Sequence, residues 1–320
     1  MKGARCLCIV LAEILCFVQA QTFQITKQFI DGNLVFTWTT ISKNSNHIQV
    51  TIDGSKCEWN TGRTTTWKEI TDDKYTVEGV LKYKSVTILV REIRSSAHKD
   101  YKDYHSTYTV SRIDSQEGDT ANLTFTADFI PNSGEYDIYH FYDDTSNIII
   151  RVTNNNASSM NYSKYAYHTR PYTSTNITFE VKNITLMDAG YYGIGITDTA
   201  ARSGQGVVLV VKGKPTKPEI AGILKVQETS DVTLTCSSNS TSRPSYYRKT
   251  VSLSYIWYRN NTVIDSKTRM TLGFPRISRD VRFNKYSCQA KESIVSEKVR
   301  TFRSMFCTVP AVSRLPLSFR

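Results

Sequence analysis

The sequence predicts an all-β chain built from three tandem units, and three observations carry the prediction. Short runs rich in Thr, Tyr and Val alternate with Gly, Asn, Asp and Ser turns, and no long stretch has a 3.6-residue period. An alternating apolar pattern recurs at fixed offsets along the chain. About 300 residues remain once a leader is set aside, which suits two or three domains of roughly 100 residues each.

Residues 1–20 read as a secretory signal. Lys2 and Arg5 are basic, Leu7 to Val18 is mostly apolar apart from Glu13, and Val18-Gln19-Ala20 is a small-residue cleavage pattern. The apolar run is shorter than the ~20 residues a membrane-spanning helix needs. Cleavage after Ala20 removes Cys6, Cys8 and Cys16, leaving Cys57, Cys236, Cys288 and Cys307. Export places these four in an oxidising compartment. Asn-X-Ser/Thr acceptors at Asn122, Asn156, Asn161, Asn176, Asn183, Asn239 and Asn260 agree with export. None falls between Gln21 and Val110. No later segment is long and apolar enough to span a membrane, and the tail 304–320, with Pro310, Arg314, Pro316 and Arg320, lacks the apolar end of a lipid-anchor signal. The expectation is a secreted protein, or the soluble form of a membrane receptor.

The repeat is read from two segments. Val86-x-Ile88-x-Val90-x-x-Ile93 ahead of Tyr101 recurs 91 residues on as Ile177-x-Phe179-x-Val181-x-x-Ile184 ahead of Tyr192. Met270-x-Leu272-x-Phe274-x-x-Ile277 ahead of Tyr286 is the third copy. A second strand recurs as Val50-Thr51-Ile52-Asp53, Phe141-Tyr142-Asp143-Asp144 and Trp257-Tyr258-Arg259-Asn260. Boundaries follow where the strand pattern lapses, near Ser111–Gln116, and at the proline-rich Gly213–Pro218, read as a semi-rigid hinge. The expected division is 21–112, 113–212, 213–303 and a tail 304–320.

The last unit is the most specific. Cys236 ends the alternating strand Val232–Cys236, Trp257 opens the next strand, and Cys288 follows Tyr286 by two residues. These positions resemble the immunoglobulin superfamily, in which two cysteines bridge the sheets, the tryptophan packs on the bridge and the tyrosine forms a corner. The resemblance implies tandem β-sandwiches, a Cys236–Cys288 disulfide and a binding role rather than chemistry. In the middle unit, Asp188-Ala189-Gly190-Tyr191-Tyr192 and Gly118–Phe125 resemble the variable-type domain, with Phe125 and Ile194 at the cysteine positions and Phe141 at the tryptophan position. The resemblance implies a sandwich without a disulfide, burying Phe125, Phe141, Tyr192 and Ile194 together. In the first unit, Phe36 and Val50 take the first two positions and Asp103 would take the third, where an unpaired carboxylate is costly.

Charge is concentrated in one place. Gly213 to Arg320 holds 19 Lys and Arg against seven Asp and Glu, against a whole-chain net of +11. Arg243, Arg248 and Lys249 fall in the long Cys236–Trp257 interval, expected as an extended tip loop; Arg276, Arg279 and Arg282 precede the second cysteine. Such residues fit an anionic glycan or a microbial surface; a solvated face is the alternative, and export disfavours nucleic acid.

Catalytic and metal motifs are absent: there is no His-Glu-x-x-His, Cys-x-x-Cys, Gly-x-Ser-x-Gly or phosphate loop among these residues, and no cofactor is implied. Asp72-Asp73 and Asp143-Asp144 sit at turns, where Asp bonds local backbone. Two functions remain open, a protein ligand bound through the distal domains or an anionic glycan bound through the basic unit. Cys57 lies in the strand after Asp53-Gly54, which the resemblance assigns to a domain-pairing face. Cys57 and Cys307 are left with three alternatives: pairing with each other, a homodimer locked through either one, or a buried free thiol.

Overall fold

The computed structural model describes residues 23–39, 46–52, 55–56, 67–83, 85–95, 100–109, 111–127, 130–131, 133–142, 145–153, 156–203, 206–222, 230–276, 284–292 and 299–300. The fold is all-β, and the chain divides into two compact units, Met1–Val110 with Arg202–Gln205 and Ser111–Ala201 with Gly206–Arg320.

The first unit contains β1 (Ile25–Ile30), β2 (Asn33–Trp38), β3 (Asn46–Ile52), β4 (Ser55–Lys56), β5 (Lys68–Ile70), β6 (Lys74–Val77), β7 (Ser85–Ser95) and β8 (Asp100–Thr109). One sheet runs β1-β2-β6; in the other, β3 pairs with β4, β5 and β7, and β7 with β8. Period-2 alternation buries Leu34, Phe36 and Trp38 of β2, Ile48 and Val50 of β3, and Val86, Ile88 and Val90 of β7. Such side chains contribute ~1.5–3 kcal/mol each when fully buried, so the described strands supply an apolar core of their own.

Two strands here correct the 91-residue repeat. Val86–Val90 lies on β7, which pairs with β3 so that Val50 faces Ile88. The Ile177–Val181 stretch lies instead on the strand that pairs with Ala121–Thr126. The repeat therefore matched strands that hold different places in their sheets, because alternation records the buried face and not the paired neighbour. Asp103 is thus in no core. It is exposed on β8 and receives a fork from Arg91 across the strand pair, Nε to Oδ1 and Nη2 to Oδ2 both at 2.7 Å.

The middle sandwich contains β9 (Ser111–Gln116), β10 (Ala121–Thr126), β11 (Tyr136–Tyr142), β12 (Thr145–Thr153), β13 (Asn156–Ser159), β14 (Tyr165–Tyr167), β15 (Asn176–Val181), β16 (Gly190–Gly195), a short helix α1 (Asp198–Ser203) and β17 (Gly206–Lys212). One sheet is ordered β13-β12-β11-β16-β17-β9, with β9 parallel to β17; the other is β10-β15-β14. Two strands, β12 and β13, extend the larger sheet beyond β11. The core joins Leu123, Phe125, Ile138, Ile150, Ile177, Phe179, Tyr192 and Ile194.

The Asp-x-Gly-x-Tyr motif has a physical role at each position. The Asp188 carboxylate accepts from the Thr185 backbone N–H and hydroxyl at 2.7 and 2.8 Å and from Lys164 Nζ at 2.6 Å, fixing the turn before β16. The Tyr192 hydroxyl donates to the Asp188 carbonyl at 2.6 Å, closing the corner. Gly190 has φ +145°, and a Cβ there would overlap the Phe141 carbonyl.

Phe141 is buried but lies outside that core. Across β11 and β16, Ile138 faces Ile194, as Trp257 faces Cys288 in the third sandwich. Ile138 therefore stands at the tryptophan position, and Phe141 lies on the opposite face, beside Tyr139 and Tyr191. Five of the seven β11 residues are buried, so both faces are covered and parity in the sequence does not say which points inward.

The third sandwich contains β18 (Glu219–Ala221), β19 (Val232–Ser237), the turn helix α2 (Ser245–Arg248), β20 (Ser254–Arg259), β21 (Thr262–Val263), β22 (Thr271–Phe274), β23 (Tyr286–Lys291) and β24 (Val299–Arg300). Its sheets are β18-β19-β22 and β21-β20-β23-β24. Cys236 and Cys288 form a disulfide. Both sulfur-bearing residues and Trp257 are fully buried in one cluster with Leu234, Tyr255, Leu272 and Tyr286. The indole N–H donates to the Arg269 carbonyl at 2.9 Å, which satisfies the one polar atom of the buried ring.

Replacing Ile138 by Ala should lower stability by ~2–5 kcal/mol through the cavity it leaves, read as an earlier denaturant transition of the middle sandwich. A loss below about 1 kcal/mol would remove Ile138 from the position assigned to it. His140 gives a second test. Its ring stacks on Tyr192 at 4.4 Å, and burial pushes its pKa below the ordinary imidazole value, against the weaker upward pull of the Ala189 carbonyl and Asp188. The unfolded chain therefore takes up the proton first as pH falls below about 6.5. Stability should be full above that pH and fall as pH drops through the folded-state value. A His140→Gln variant should flatten the dependence between pH 7 and 5 in thermal melts; an unchanged slope counts against it.

Candidate recognition surfaces

In the first unit, the side of β3-β7-β8 opposite the buried aliphatics carries a polar face. Its rows are Thr51–Thr87–Thr107 and His47–Arg91–Asp103, with Leu89 beside His105 between the last two strands. Thr87 and Thr107 share a hydroxyl hydrogen bond at 2.9 Å. Arg91 lies 4.0 Å from the Trp67 ring centroid while holding Asp103, so its guanidinium is fixed by two partners at once. Period-2 logic places these side chains on one face; the Arg91–Asp103 pair was not legible because it depends on the register of β7 against β8.

The corresponding face of the middle sandwich is arranged differently. Tyr139, Phe141 and Tyr191 form a row with ring centroids 6.0 Å apart at each step, and all three are buried. Residues Ile196 to Ala201, which follow β16, lie against this sheet face. The Tyr139 hydroxyl donates to the Ile196 carbonyl at 3.2 Å, and Ser146 bonds the Asp198 carboxylate. Cβ atoms at Gly193 and Gly206 would overlap the Ala201 carbonyl and the Tyr191 ring, so two glycines permit the approach. On the opposite sheet, Asn122 and Asn176 are exposed on β10 and β15. Asn156, Asn161, Asn183, Asn239 and Asn260 are exposed as well, so all seven acceptor asparagines are open to solvent.

The basic segment of the third sandwich does not stand free as a tip loop. Arg243 exchanges two backbone hydrogen bonds with Val211 at 3.0 and 3.1 Å, and Tyr247 of α2 is buried beneath Lys212. Arg243 and Arg248 are half-buried, whereas Lys249 and Arg276 are exposed. The Arg276 N–H donates to the Asp231 carboxylate at 2.9 Å. Arg279, Arg282, Asp143, Asp144, Cys57 and Cys307 lie outside the described residues. Among the described residues no cluster of His, Cys, Asp or Glu is arranged to hold a metal, and no helix is long and apolar enough to cross a membrane.

Replacing Gly193 by Val should displace the Ala201 carbonyl and open the aromatic row. The expected readout is a rise in binding of the dye ANS with strand content retained by circular dichroism. Unchanged dye binding would show that α1 does not cover the row.

Residues 215–303 match the model of the immunoglobulin domain family. Among solved structures, the chain is similar to the three-domain ectodomain of mouse nectin-like molecule 4, at 16% identity over 60% of this chain and 65% of that one, with a TM-score of 0.33. The chain thus spans slightly less than two thirds of that ectodomain. It is also similar to the I67–I69 fragment of titin, at 13% identity over 87% of this chain and 96% of that one, TM-score 0.29. A third is the CD2-binding domain of CD58, at 14% identity over 62% of this chain and 98% of that one, TM-score 0.29. No curated protein matches the sequence. The matched segment holds the bridged, tryptophan-backed sandwich, so what the match identifies is an immunoglobulin domain within residues 215–303.

Proposed function

We propose that this chain is a non-enzymatic, exported recognition protein that binds a protein ligand through the β3-β7-β8 face of its first unit. The observation that carries the reading is the distribution of acceptor sites. All seven exposed sequon asparagines lie beyond residue 121, and none lies in the first unit. Glycans are bulky and occlude the surface they occupy. The uncoated face presents a held guanidinium, a paired carboxylate, hydroxyls, the exposed His105 imidazole and Leu89, a mixture that suits a polar protein interface. In the middle sandwich the equivalent face is closed by its own chain, which supports placing recognition elsewhere.

A second reading rests on a separate observation, the excess of 19 basic over seven acidic residues from Gly213 onward. That charge would hold anionic glycans, with Lys249 and Arg276 as exposed members.

The two readings separate in one experiment. The secreted chain is captured on cells and on immobilised heparin, with Arg91→Glu and Lys249→Glu/Arg276→Glu variants beside it. Arg91→Glu should weaken cell binding by about tenfold or more, and moderate salt should leave most wild-type binding intact. Loss of cell binding in the Lys249/Arg276 variant, with Arg91→Glu unaffected, would overturn the proposal in favour of the glycan reading.

A further inference from the structure

We infer that the middle and third sandwiches are joined by a fixed elbow, in which a charge-balanced polar network turns the proline-rich linker from a hinge into a clamp. This elbow is independent of the ligand-binding proposal.

The network is built around Lys212, the last residue of β17. Its Nζ is 3.1 Å from the Asp114 carboxylate on β9 and 3.5 Å from the Glu292 carboxylate just after β23. It also hydrogen bonds the Tyr247 hydroxyl and lies 4.3 Å from that ring's centroid. One ammonium therefore touches the sheet of the middle sandwich and two elements of the third. Glu292 is itself saturated. Ser240 donates to it at 2.6 Å, Ser242 reaches both of its oxygens at 3.0 and 3.1 Å, and Tyr247 donates at 3.3 Å. Arg112 sits over the Tyr247 ring at 5.5 Å and pairs with Asp114 at 2.9 Å. Two cations and two anions share the site.

Burial makes the network matter. The Lys212 and Glu292 side chains are 11% and 7% exposed, so a charge stripped of its partner there would be left away from water. The backbone adds a second tie. Val211 and Arg243 bond each other in both directions, the Gly213 N–H donates to the Ser242 hydroxyl at 3.0 Å, and Thr216 and Asn239 are bonded across the linker. A Cβ at Gly213 would overlap Thr241, so glycine here serves close approach rather than flexibility. A linker free to swing would have to break these bonds together.

The test is a spin-label distance measurement on the full secreted chain. Labels are placed at Met187→Cys and Thr233→Cys, both exposed, in a Cys57→Ser, Cys307→Ser background. The expected result is one narrow distance distribution for the otherwise native chain and a clearly broadened one for Glu292→Ala. A broad or multi-peaked distribution in the otherwise native chain overturns the inference. So does a Glu292→Ala distribution as narrow as the parent's. Should Glu292→Ala fail to be secreted, Lys212→Met, which keeps the apolar stem on the Tyr247 ring, decides the matter by the same criterion. Binding through the first unit is scored on the same samples, so a flexible elbow and a misplaced ligand face give different results.

Discussion

Everything in this chain depends on one cross-strand pair per sandwich, the pair that sets two central strands in register and points one residue from each into the core. In the third sandwich it is Trp257 opposite Cys288; in the middle one it is Ile138 opposite Ile194; in the first unit it is Val50 opposite Ile88. A one-residue slip at any of them would turn the whole apolar set of the strand to the wrong face. The third sandwich fixes the pair covalently by joining Cys288 to Cys236 on the other sheet, a constraint of the order of 2–4 kcal/mol. The middle sandwich reaches the same end with a larger aliphatic and aromatic core and with the Asp188–Tyr192 corner. Covalent and apolar solutions are interchangeable at this position because each supplies a similar few kilocalories.

That interchangeability explains what the sequence reveals. Where the pair is chemically singular, as with cysteines and a tryptophan, the third sandwich is legible to the residue. Where it is aliphatic, the identity of the strand is lost while its existence is not. Val86–Val90 and Ile177–Val181 have the same alternation, yet one pairs with β3 and the other with β10. Likewise the β11 strand is buried on both sides, so Phe141 and Ile138 are equally plausible core residues by pattern and only register separates them. Tyr192 and Phe125 were legible because a turn motif or an alternating strand with one exposed face fixes their parity.

Long-range polar contacts are the least legible class, and they are where the surfaces get their character. Nothing local in Gly213–Pro218 announces that Lys212 will meet Glu292, 80 residues later in the chain. A proline-rich stretch with two lysines reads as a hinge by composition. The backbone exchange between Val211 and Arg243 and the buried Glu292 carboxylate give it the opposite mechanics. The same holds for the polar face of the first unit, where Arg91 finds Asp103 only because β7 and β8 run side by side.

Charge composition and charge placement therefore lead to different functional weights. The third unit is strongly basic by count, yet Arg243 contributes its backbone to the elbow and is half-buried, and Lys212 is committed to two carboxylates and a phenol. Committed cations add little to a field meant for an outside anion, since their charge is already balanced at contact distance. What remains for an external partner is the set of exposed residues such as Lys249 and Arg276, a smaller patch than the net charge alone implies. The first unit has no such excess, but its fixed Arg91–Asp103 fork is presented on a sheet face without acceptor asparagines. Specific protein recognition draws more on held geometry than on total charge, and by that criterion the uncoated face outweighs the basic one.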